Sequence, residues 1–256
     1  MKRSKNYKNV FNPATGFFAP KMADGKWIEP FDPILGGGIG SRSFFAENNA
    51  WTWNFSVQHD IPELINMLGG SEAFIKRVDA LFNEPTKKSK WRFMGQFPDA
   101  TGLNGMFVAG NEPSCHIPYL YNYAGQPWKT QRRIREVMDM WFDDRPLGVP
   151  GDEDGGAMCS WYVFSAMGFY PVTPGSGEYA IGSPFFNSIS IELPDGKSFS
   201  VVAENCSKKN KYIQSAALNG KELNTAFISH ADIMEGGKLN FVMGSMPNKN
   251  WGSSMR

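Results

Sequence analysis

The period at which apolar residues recur changes once along the chain, and this change constrains the fold more than any other feature. Before Pro171 apolar residues recur every three or four positions, as in Phe74–Phe82, which is the period of a helix. After Pro171 they alternate, as in Ile189–Leu193 and Phe199–Val202 around the turn residues Pro194-Asp195-Gly196. The sequence therefore predicts a mainly α fold with a C-terminal β region.

Start and stop signals divide the helical part into separate helices. Asp60 is predicted to cap a helix that carries Pro62 in its first turn, and Ser71 to cap the next one. Further helices are predicted at Ile117–Ala124, from Pro127 onward and at Gly156–Met167. Paired helices joined by long loops are typical of half of an α/α toroid. We predict such a partial toroid over residues 1–174 and a small antiparallel β subdomain over residues 175–256, ending in the strand Leu239–Met243.

Residues 1–46 are dominated by Gly, Pro, Asn and aromatic residues, which predicts loops with short extended pieces. The glycines at 36–40 neither follow a predicted strand nor precede a helix, so they do not indicate a nucleotide-binding loop.

Composition excludes several classes of function. The 26 basic and 25 acidic residues give a net charge of +1, which does not indicate a nucleic-acid surface, and the basic runs Lys87–Lys90 and Lys208–Lys211 are interpreted as solvated loops. Three widely spaced cysteines indicate neither a zinc site nor a disulfide framework. No apolar run reaches membrane-spanning length, and no hydrophobic stretch of a secretory signal follows the basic N-terminus.

Aromatic residues make up 14% of the chain, which fits two interpretations equally. They can form a ring-rich core, or they can line a carbohydrate cleft, where the C–H faces of a sugar pack on rings and polar groups bind its hydroxyls.

The first acidic locus is Glu47, which lies close to Trp51, Trp53 and Phe55 in the sequence. Glycosidic bonds are usually cut by two carboxyl groups, one of them an acid that protonates the leaving oxygen. Burial among these rings would favour the protonated form that a general acid needs. The alternative is a Glu that caps a helix or bonds Asn48 and Asn49.

Two further loci combine oxygen-bearing side chains with turns. The oxygen-bearing side chains of the run Asn111-Glu112-Pro113-Ser114-Cys115-His116 suit a hard cation such as calcium. A turn in which Pro113 starts a helix explains the same run of residues equally well. Gly151-Asp152-Glu153-Asp154-Gly155-Gly156 carries more negative charge than a helix N-terminus needs, and its glycines allow the backbone to approach a ligand. His59, Asp60 and Asp99 are weaker candidates, and His59 is as readily a buried structural histidine.

These loci occur in the order of a known family. The motifs are Asn6-Tyr-Lys-Asn9, Pro13-x-Thr-Gly16, Glu47-x-Asn-Ala-Trp51, His59-Asp60, Gln96-Phe-Pro-Asp-Ala-Thr-Gly102, Gly110-Asn-Glu-Pro113, Tyr119 through Gln131, Pro150-Gly-Asp-Glu-Asp154, Trp161 through Pro171, and an ending with Phe241-Val-Met-Gly244 and Trp251-Gly252. Over nearly the entire chain the sequence resembles glycoside hydrolase family 92, the calcium-dependent, inverting α-mannosidases.

The resemblance implies a role for each matching residue. Glu47 corresponds to the general acid, and Asp152 and Asp154 to the base that activates water. Asn111, Glu112 and Asp154 are implied as Ca²⁺ ligands. The residues implied in substrate binding are Trp51, His59, Asp60, Glu112 and His116. Asn48 stands where the family usually has Gly, and Cys115 where His is common, which concerns substrate preference more than reaction class.

The resemblance also implies what surrounds such a chain. Family members carry an N-terminal β-sandwich and the first half of an (α/α)6 toroid, to which nothing here corresponds. The expected substrate is a mannose-terminated glycan, and a full-length parent would be periplasmic or secreted. A catalytically inactive, carbohydrate-binding fragment that needs the absent N-terminal part is the alternative.

Overall fold

A computed structural model of the chain describes residues 2–35, 44–87, 89, 92–93 and 100–254. Several positions of interest lie outside the described residues: the glycines at 36–40, Lys88 and Lys90 of the first basic run, and residues 96–99 with the candidate Asp99. None of the helices in the described part of the chain combines the length and the apolar character that crossing a lipid bilayer requires.

The chain divides into two compact units. The first unit comprises Met1–Cys115 and Val149–Asp154, and the second unit comprises His116–Gly148 and Gly155–Arg256. The predicted domain boundary near residue 175 does not coincide with the division between these units, and it stays a prediction.

The first unit is built from short elements. Its α-helices are Ala50–Trp53, Ile61–Met67 and Ser71–Leu81. Its strands form two antiparallel pairs, Phe11–Asn12 with Phe17–Phe18 and Leu103–Asn104 with Phe107–Val108. Its 3-10 helices are Lys2–Val10, Gln58–Asp60 and Glu112–Ser114. Phe55, Leu64, Phe74 and Val78 are fully buried and form its core. The predicted loop over residues 1–46 contains short extended pieces as expected, but the 3-10 helix Lys2–Val10 was not predicted.

Both predicted caps in this unit are wrong in detail. Asp60 precedes helix Ile61–Met67, but its side chain makes no capping hydrogen bond, because its carboxylate accepts one from the Tyr7 hydroxyl at 2.8 Å. Helix Ser71–Leu81 begins at Ser71 itself, and Gly70 occupies the cap position with a φ of 90°. The paired glycines Gly69 and Gly70 therefore make the turn between the two helices.

Of the two α-helices that were predicted in the second unit, Pro127–Trp141 follows the predicted apolar pattern, whereas Ala157–Met167 buries Ser165 and Ala166 and leaves Tyr162 and Phe164 half-buried. Helix Pro127–Trp141 buries Ile134, Val137 and Met138, and helix Ala157–Met167 ends at Gly168, whose φ is 99°. The predicted helix Ile117–Ala124 is instead a 3-10 helix over Ile117–Asn122, in which all six residues are buried.

Two sheets complete the second unit. The strands of the three-stranded sheet lie in the order Phe227–Ser229, Glu178–Ile181, Phe169–Tyr170. The strands of the five-stranded sheet lie in the order Lys221–Glu222, Tyr212–Leu218, Gly237–Gly244, Ser198–Glu204, Ser188–Glu192. The prediction of a wholly antiparallel subdomain is wrong, because Gly237–Gly244 runs parallel to Ser198–Glu204. The last strand of the chain takes the central position, which places Leu239, Phe241 and Met243 in the core. The predicted hairpin turns at 194–196 and 218–221 are confirmed.

Candidate active site

The loop that carries Glu47 is fixed by its neighbours. Asn49 caps the short helix Ala50–Trp53 by accepting a hydrogen bond from the Trp51 amide at 3.1 Å, and the Trp53 indole donates to the Ala46 carbonyl at 2.7 Å. Glu47 itself has a φ of 63°, in the left-handed region that a residue with a Cβ rarely adopts. Such backbone strain concentrates at functional sites.

The predicted burial of Glu47 among aromatic rings is wrong for this chain. Glu47 is exposed, whereas Trp51 and Phe55 are buried in the core of the first unit. The alternative of a helix-capping Glu is also wrong, since Asn49 is the cap.

Trp51 is held by a pair of side chains. Its ring meets the Phe17 ring edge-on at 5.0 Å, and the Arg77 guanidinium carbon lies 4.4 Å from the Phe17 centroid and 5.6 Å from the Trp51 centroid. Arg77 also donates to the Thr15 carbonyl at 3.3 Å. A guanidinium over aromatic faces is attracted by their π electrons, so this arrangement fixes the indole that follows Glu47.

Two glycines bring the other acidic loops together. A Cβ on Gly110 would lie 2.7 Å from the Gly151 nitrogen, and a Cβ on Gly151 would collide with the Gly110 carbonyl. The two backbones therefore touch, and only glycine fits at both positions. The glycine before the acidic run was predicted to allow approach to a ligand, but in this chain Gly151 allows approach of Gly110. As a result, Glu112 and Asp154 are neighbours.

Three carboxylates interact as a cluster in the first unit. Partial desolvation raises the pKa of Glu112, and a hydrogen bond with Asp154 and the negative charges of Asp154 and Glu47 raise it further. Asp154, like Glu47, has a left-handed backbone, with a φ of 53°. The raised pKa of Glu112 favours its protonated form, which can donate the hydrogen bond to Asp154.

Next to this cluster, polar atoms are buried without partners. Asn111 Oδ1, Ser114 Oγ and Thr101 Oγ1 have no hydrogen-bond partner within the part of the chain that the structure describes. An unpaired buried acceptor is unfavourable unless a water, ion or ligand binds it. Among the described residues, no three His, Cys, Asp or Glu side chains are arranged to hold a metal ion. The oxygens of Asn111, Glu112 and Asp154 are nevertheless the hard donors that calcium prefers.

Asp152 and His116 are two further predicted site residues. Asp152 is exposed and makes no hydrogen bond or ion pair with the described residues. His116 is buried and belongs to the second unit. Their predicted roles stay predictions.

His59 and Asp60 hold the N-terminal 3-10 helix. The His59 Nε2 lies 2.7 Å from the Ser4 carbonyl oxygen, its ring meets the Tyr7 ring edge-on, and Asp60 accepts from the Tyr7 hydroxyl. Burial, followed by the Asp60 hydrogen bond and charge, raises the pKa of Tyr7. Their part in substrate binding is untested by these contacts.

Sequence reasoning missed Arg77, Tyr7 and the contact between Gly110 and Gly151. Arg77 lies on a helix surface by periodicity, and no local pattern distinguishes it from a solvated residue. The two glycines did stand in the quoted motifs, so their position directly before acidic residues was the available signal.

Comparison with known proteins identifies the family of this chain. The sequence profile of the glycosyl hydrolase family 92 catalytic domain matches residues 1–245. An uncharacterized secreted glycosidase of Arthroderma benhamiae is 34% identical to this chain over 273 residues, covering 98% of this chain and 32% of that protein.

Solved structures are similar over the same extent. The family GH92 α-mannosidase BT3965 of Bacteroides thetaiotaomicron, in complex with mannoimidazole, matches with a TM-score of 0.91 and 33% identity, covering 99% of this chain and 33% of that one. The GH92 inverting mannosidase BT2199 of Bacteroides thetaiotaomicron VPI-5482 matches with a TM-score of 0.84 and 39% identity, covering 99% and 34%. This chain thus spans about a third of the length of these relatives and belongs to glycosyl hydrolase family 92.

Proposed function

We propose that this chain carries the carboxylates of a calcium-dependent, inverting exo-α-mannosidase, which releases mannose from α-mannosides of glycans. The observation that carries the proposal is the cluster of Glu47, Glu112 and Asp154, in which burial and like charges raise the pKa of Glu112. A carboxyl group with a raised pKa, such as Glu112, and strained backbone, as at Glu47 and Asp154, both concentrate at functional sites. The similarity to an inverting mannosidase of the same family supports the reaction class.

The proposed roles follow the chemistry of inversion. Glu47 gives a proton to the glycosidic oxygen as the bond from that oxygen to the anomeric carbon breaks. Asp154, with Asp152 beside it, takes a proton from the water that attacks the opposite face of the sugar. The product is β-mannose. Inverting enzymes hold acid and base about 6.5–9.5 Å apart so that this water fits between them.

Calcium would be held by the side-chain oxygens of Asn111, Glu112 and Asp154. The unpaired Asn111 Oδ1 and the excess of negative charge fit this ion. Because calcium takes about six to eight oxygen ligands, sugar hydroxyls and water would supply the rest. When bound, the ion would attract adjacent mannose hydroxyls and favour a flattened ring. Trp51, His59, Asp60, Glu112 and His116 are the residues proposed to contact the sugar.

The helices are proposed to be part of an (α/α)6 toroid whose other half lies in a longer polypeptide. Relatives are about three times as long as this chain, which supports the idea. The exposure of Glu47 and Asp154 also supports it, because a completed pocket would shield both side chains.

The same exposure favours a second candidate function, a carbohydrate-binding fragment without turnover. A general acid that stays in bulk water gains little from its surroundings, so the chain would bind mannosides but not cleave them.

The test is mannose release from α-linked mannobiose, followed by NMR so that the anomer is observed, with calcium and with a chelator. We expect calcium-dependent release of β-mannose that Glu47→Gln abolishes. Glu72→Gln is the matched control, since Glu72 is an exposed glutamate of the same unit. Release of α-mannose first would contradict inversion, release unaffected by chelation would contradict the calcium proposal, and ligand binding without release would favour the second candidate.

A further inference from the structure

The second unit contains a cavity of about 340 Å³. It lies at one end of the three-stranded sheet, between the loop 171–177 and the start of the short helix His230–Met234. Its lining includes Pro171, Thr173, Gly177, Glu178, Tyr179 and His230. None of these residues takes part in the proposed mannosidase chemistry. The volume lies within the range of small-molecule sites, about 300–1,000 Å³.

The position of His230 is fixed by the sheet. Ser229 pairs with Glu178 across the two strands, and the His230 amide continues this pairing by donating to the Gly177 carbonyl at 2.7 Å. Ser229 and Asp232 form a reciprocal capping box, which holds the first turn of the helix in place. The backbone around the cavity is therefore preorganised.

Tyr179 and His230 form a polar pair in the lining. The Tyr179 hydroxyl oxygen lies 3.1 Å from His230 Nδ1. His230 is exposed, and its Nε2 has no hydrogen-bond partner in the described ranges, so a ligand can replace water there as a donor or an acceptor, depending on the tautomer. Sugar hydroxyls both donate and accept hydrogen bonds, so they can bind the Tyr179–His230 pair in either tautomer of His230.

The other walls are apolar or acidic. Phe164 stacks near Tyr179 with centroids 6.2 Å apart, and Phe169 meets Tyr179 edge-on at 5.4 Å, so the ring is held rigidly. Pro171 adds an apolar surface, and Glu178 adds a carboxylate. The carboxylate repels anions, and the several polar groups disfavour a hydrocarbon ligand.

We propose that this cavity is a noncatalytic site for a neutral hexose unit of a glycan. Apolar C–H faces pack against Pro171 and the edge of Tyr179, while hydroxyls bind His230 and Glu178. Such a site holds a glycan chain on the protein independently of the residues that cleave it.

The chain offers a direct test because it has only three histidines, His59, His116 and His230. Labelled imidazole resonances are followed by NMR during titration with methyl β-mannopyranoside, which an α-mannosidase does not cleave. We expect the His230 signals to shift saturably. Tyr179→Phe removes the hydroxyl but keeps the ring, and we expect it to weaken binding about fivefold, as the loss of one hydrogen bond does.

Two further variants separate the cavity from general effects. Glu178→Gln keeps the size of the side chain and is expected to weaken binding as well, which covers the case in which Tyr179→Phe does not fold. Tyr162→Phe, outside the lining, is expected to leave the affinity unchanged. His230 signals that do not move, that move equally in all variants, or that respond more strongly to inorganic phosphate than to the sugar overturn the proposal.

Discussion

The two units differ in what lies beside their unpaired buried polar atoms. In the second unit, Asn122 donates to the carbonyls of Ile181 and Ala226 at 2.8 and 3.1 Å, while its own Oδ1 and the Thr130 hydroxyl are buried without a partner among the described residues. In the first unit, Asn111 Oδ1 and Ser114 Oγ are likewise buried with no partner among the described residues. Asn111 directly precedes Glu112 of the carboxylate cluster, whereas neither Asn122 nor Thr130 adjoins an acidic residue in the sequence. The unpaired oxygen of Asn111 is therefore the one that could bind a ligand together with a carboxylate.

The backbone shows the same contrast. The second unit places Asn205 and Asn219 in the left-handed region, and asparagine tolerates this conformation in turns. The first unit places Lys87 there as well as Glu47 and Asp154, and the last two are among the carboxylates of the proposed site. Strain and unsatisfied polar atoms thus occur together where the carboxylates meet, as expected if they serve chemistry and not stability.

The largest expected effect comes from the contact between Gly110 and Gly151. Gly151→Ala introduces a Cβ into the Gly110 carbonyl at a φ of 73°, and we expect it to reduce the free energy of unfolding by about 3 kcal/mol. Gly155→Ala is the matched control: Gly155 has a φ of 66° but no atom near an added Cβ, so about 1 kcal/mol is expected. Urea unfolding measures both. Equal losses would show that the close contact does not hold the acidic loops.

Two buried asparagines compare the units directly. Asn122→Ala removes a donor from the Ile181 and Ala226 carbonyls, of which Ala226 keeps the hydrogen bond from the Ile181 amide, and we expect a loss of about 2 kcal/mol in unfolding free energy. Asn111→Ala removes a buried oxygen that has no partner among the described residues, and less than about 1 kcal/mol is expected. Thermal and urea unfolding without calcium would measure both values. A larger loss for Asn111→Ala would contradict the contrast between the units.

A smaller effect is expected at the N-terminal 3-10 helix. Tyr7→Phe removes the hydrogen bond to Asp60 and should reduce the free energy of unfolding by about 1 kcal/mol. Because folding raises the pKa of Tyr7, its stabilisation is present below about pH 10, the ordinary tyrosine value, and is lost as pH rises through the folded pKa. Between pH 8 and pH 11 the free energy of unfolding should fall less steeply in the variant than in the unmodified protein. An unchanged slope would show that Asp60 is not the partner in solution.

The sequence predicted the second unit better than the first, for a physical reason. Helix Pro127–Trp141 carries its apolar period along the chain, and the end of helix Ala157–Met167 at Gly168 and the Asn219-Gly220 turn need only local signals. The parallel pairing of Gly237–Gly244 was missed because register between distant strands leaves no local trace.

In the first unit, the motifs predict Glu47, Glu112 and Asp154 as site residues but do not predict their environment. The exposure of Glu47 and the contact of Gly110 with Gly151 arise from tertiary packing. No spacing along the chain encodes either.

The central claim is that Glu47, Glu112 and Asp154 form one electrostatic cluster, and the titration of the Glu112 carboxyl carbon by NMR in calcium-free buffer tests it most directly. The account predicts that the pKa of Glu112 lies above its ordinary value of 4.5. Asp154→Asn is expected to lower this pKa, because it removes a negative charge and changes the hydrogen-bond partner of Glu112. Glu47→Gln is expected to lower the pKa of Glu112 less, because it removes a charge alone. A Glu112 that titrates at its ordinary value, or that does not respond to Asp154→Asn, would contradict the account.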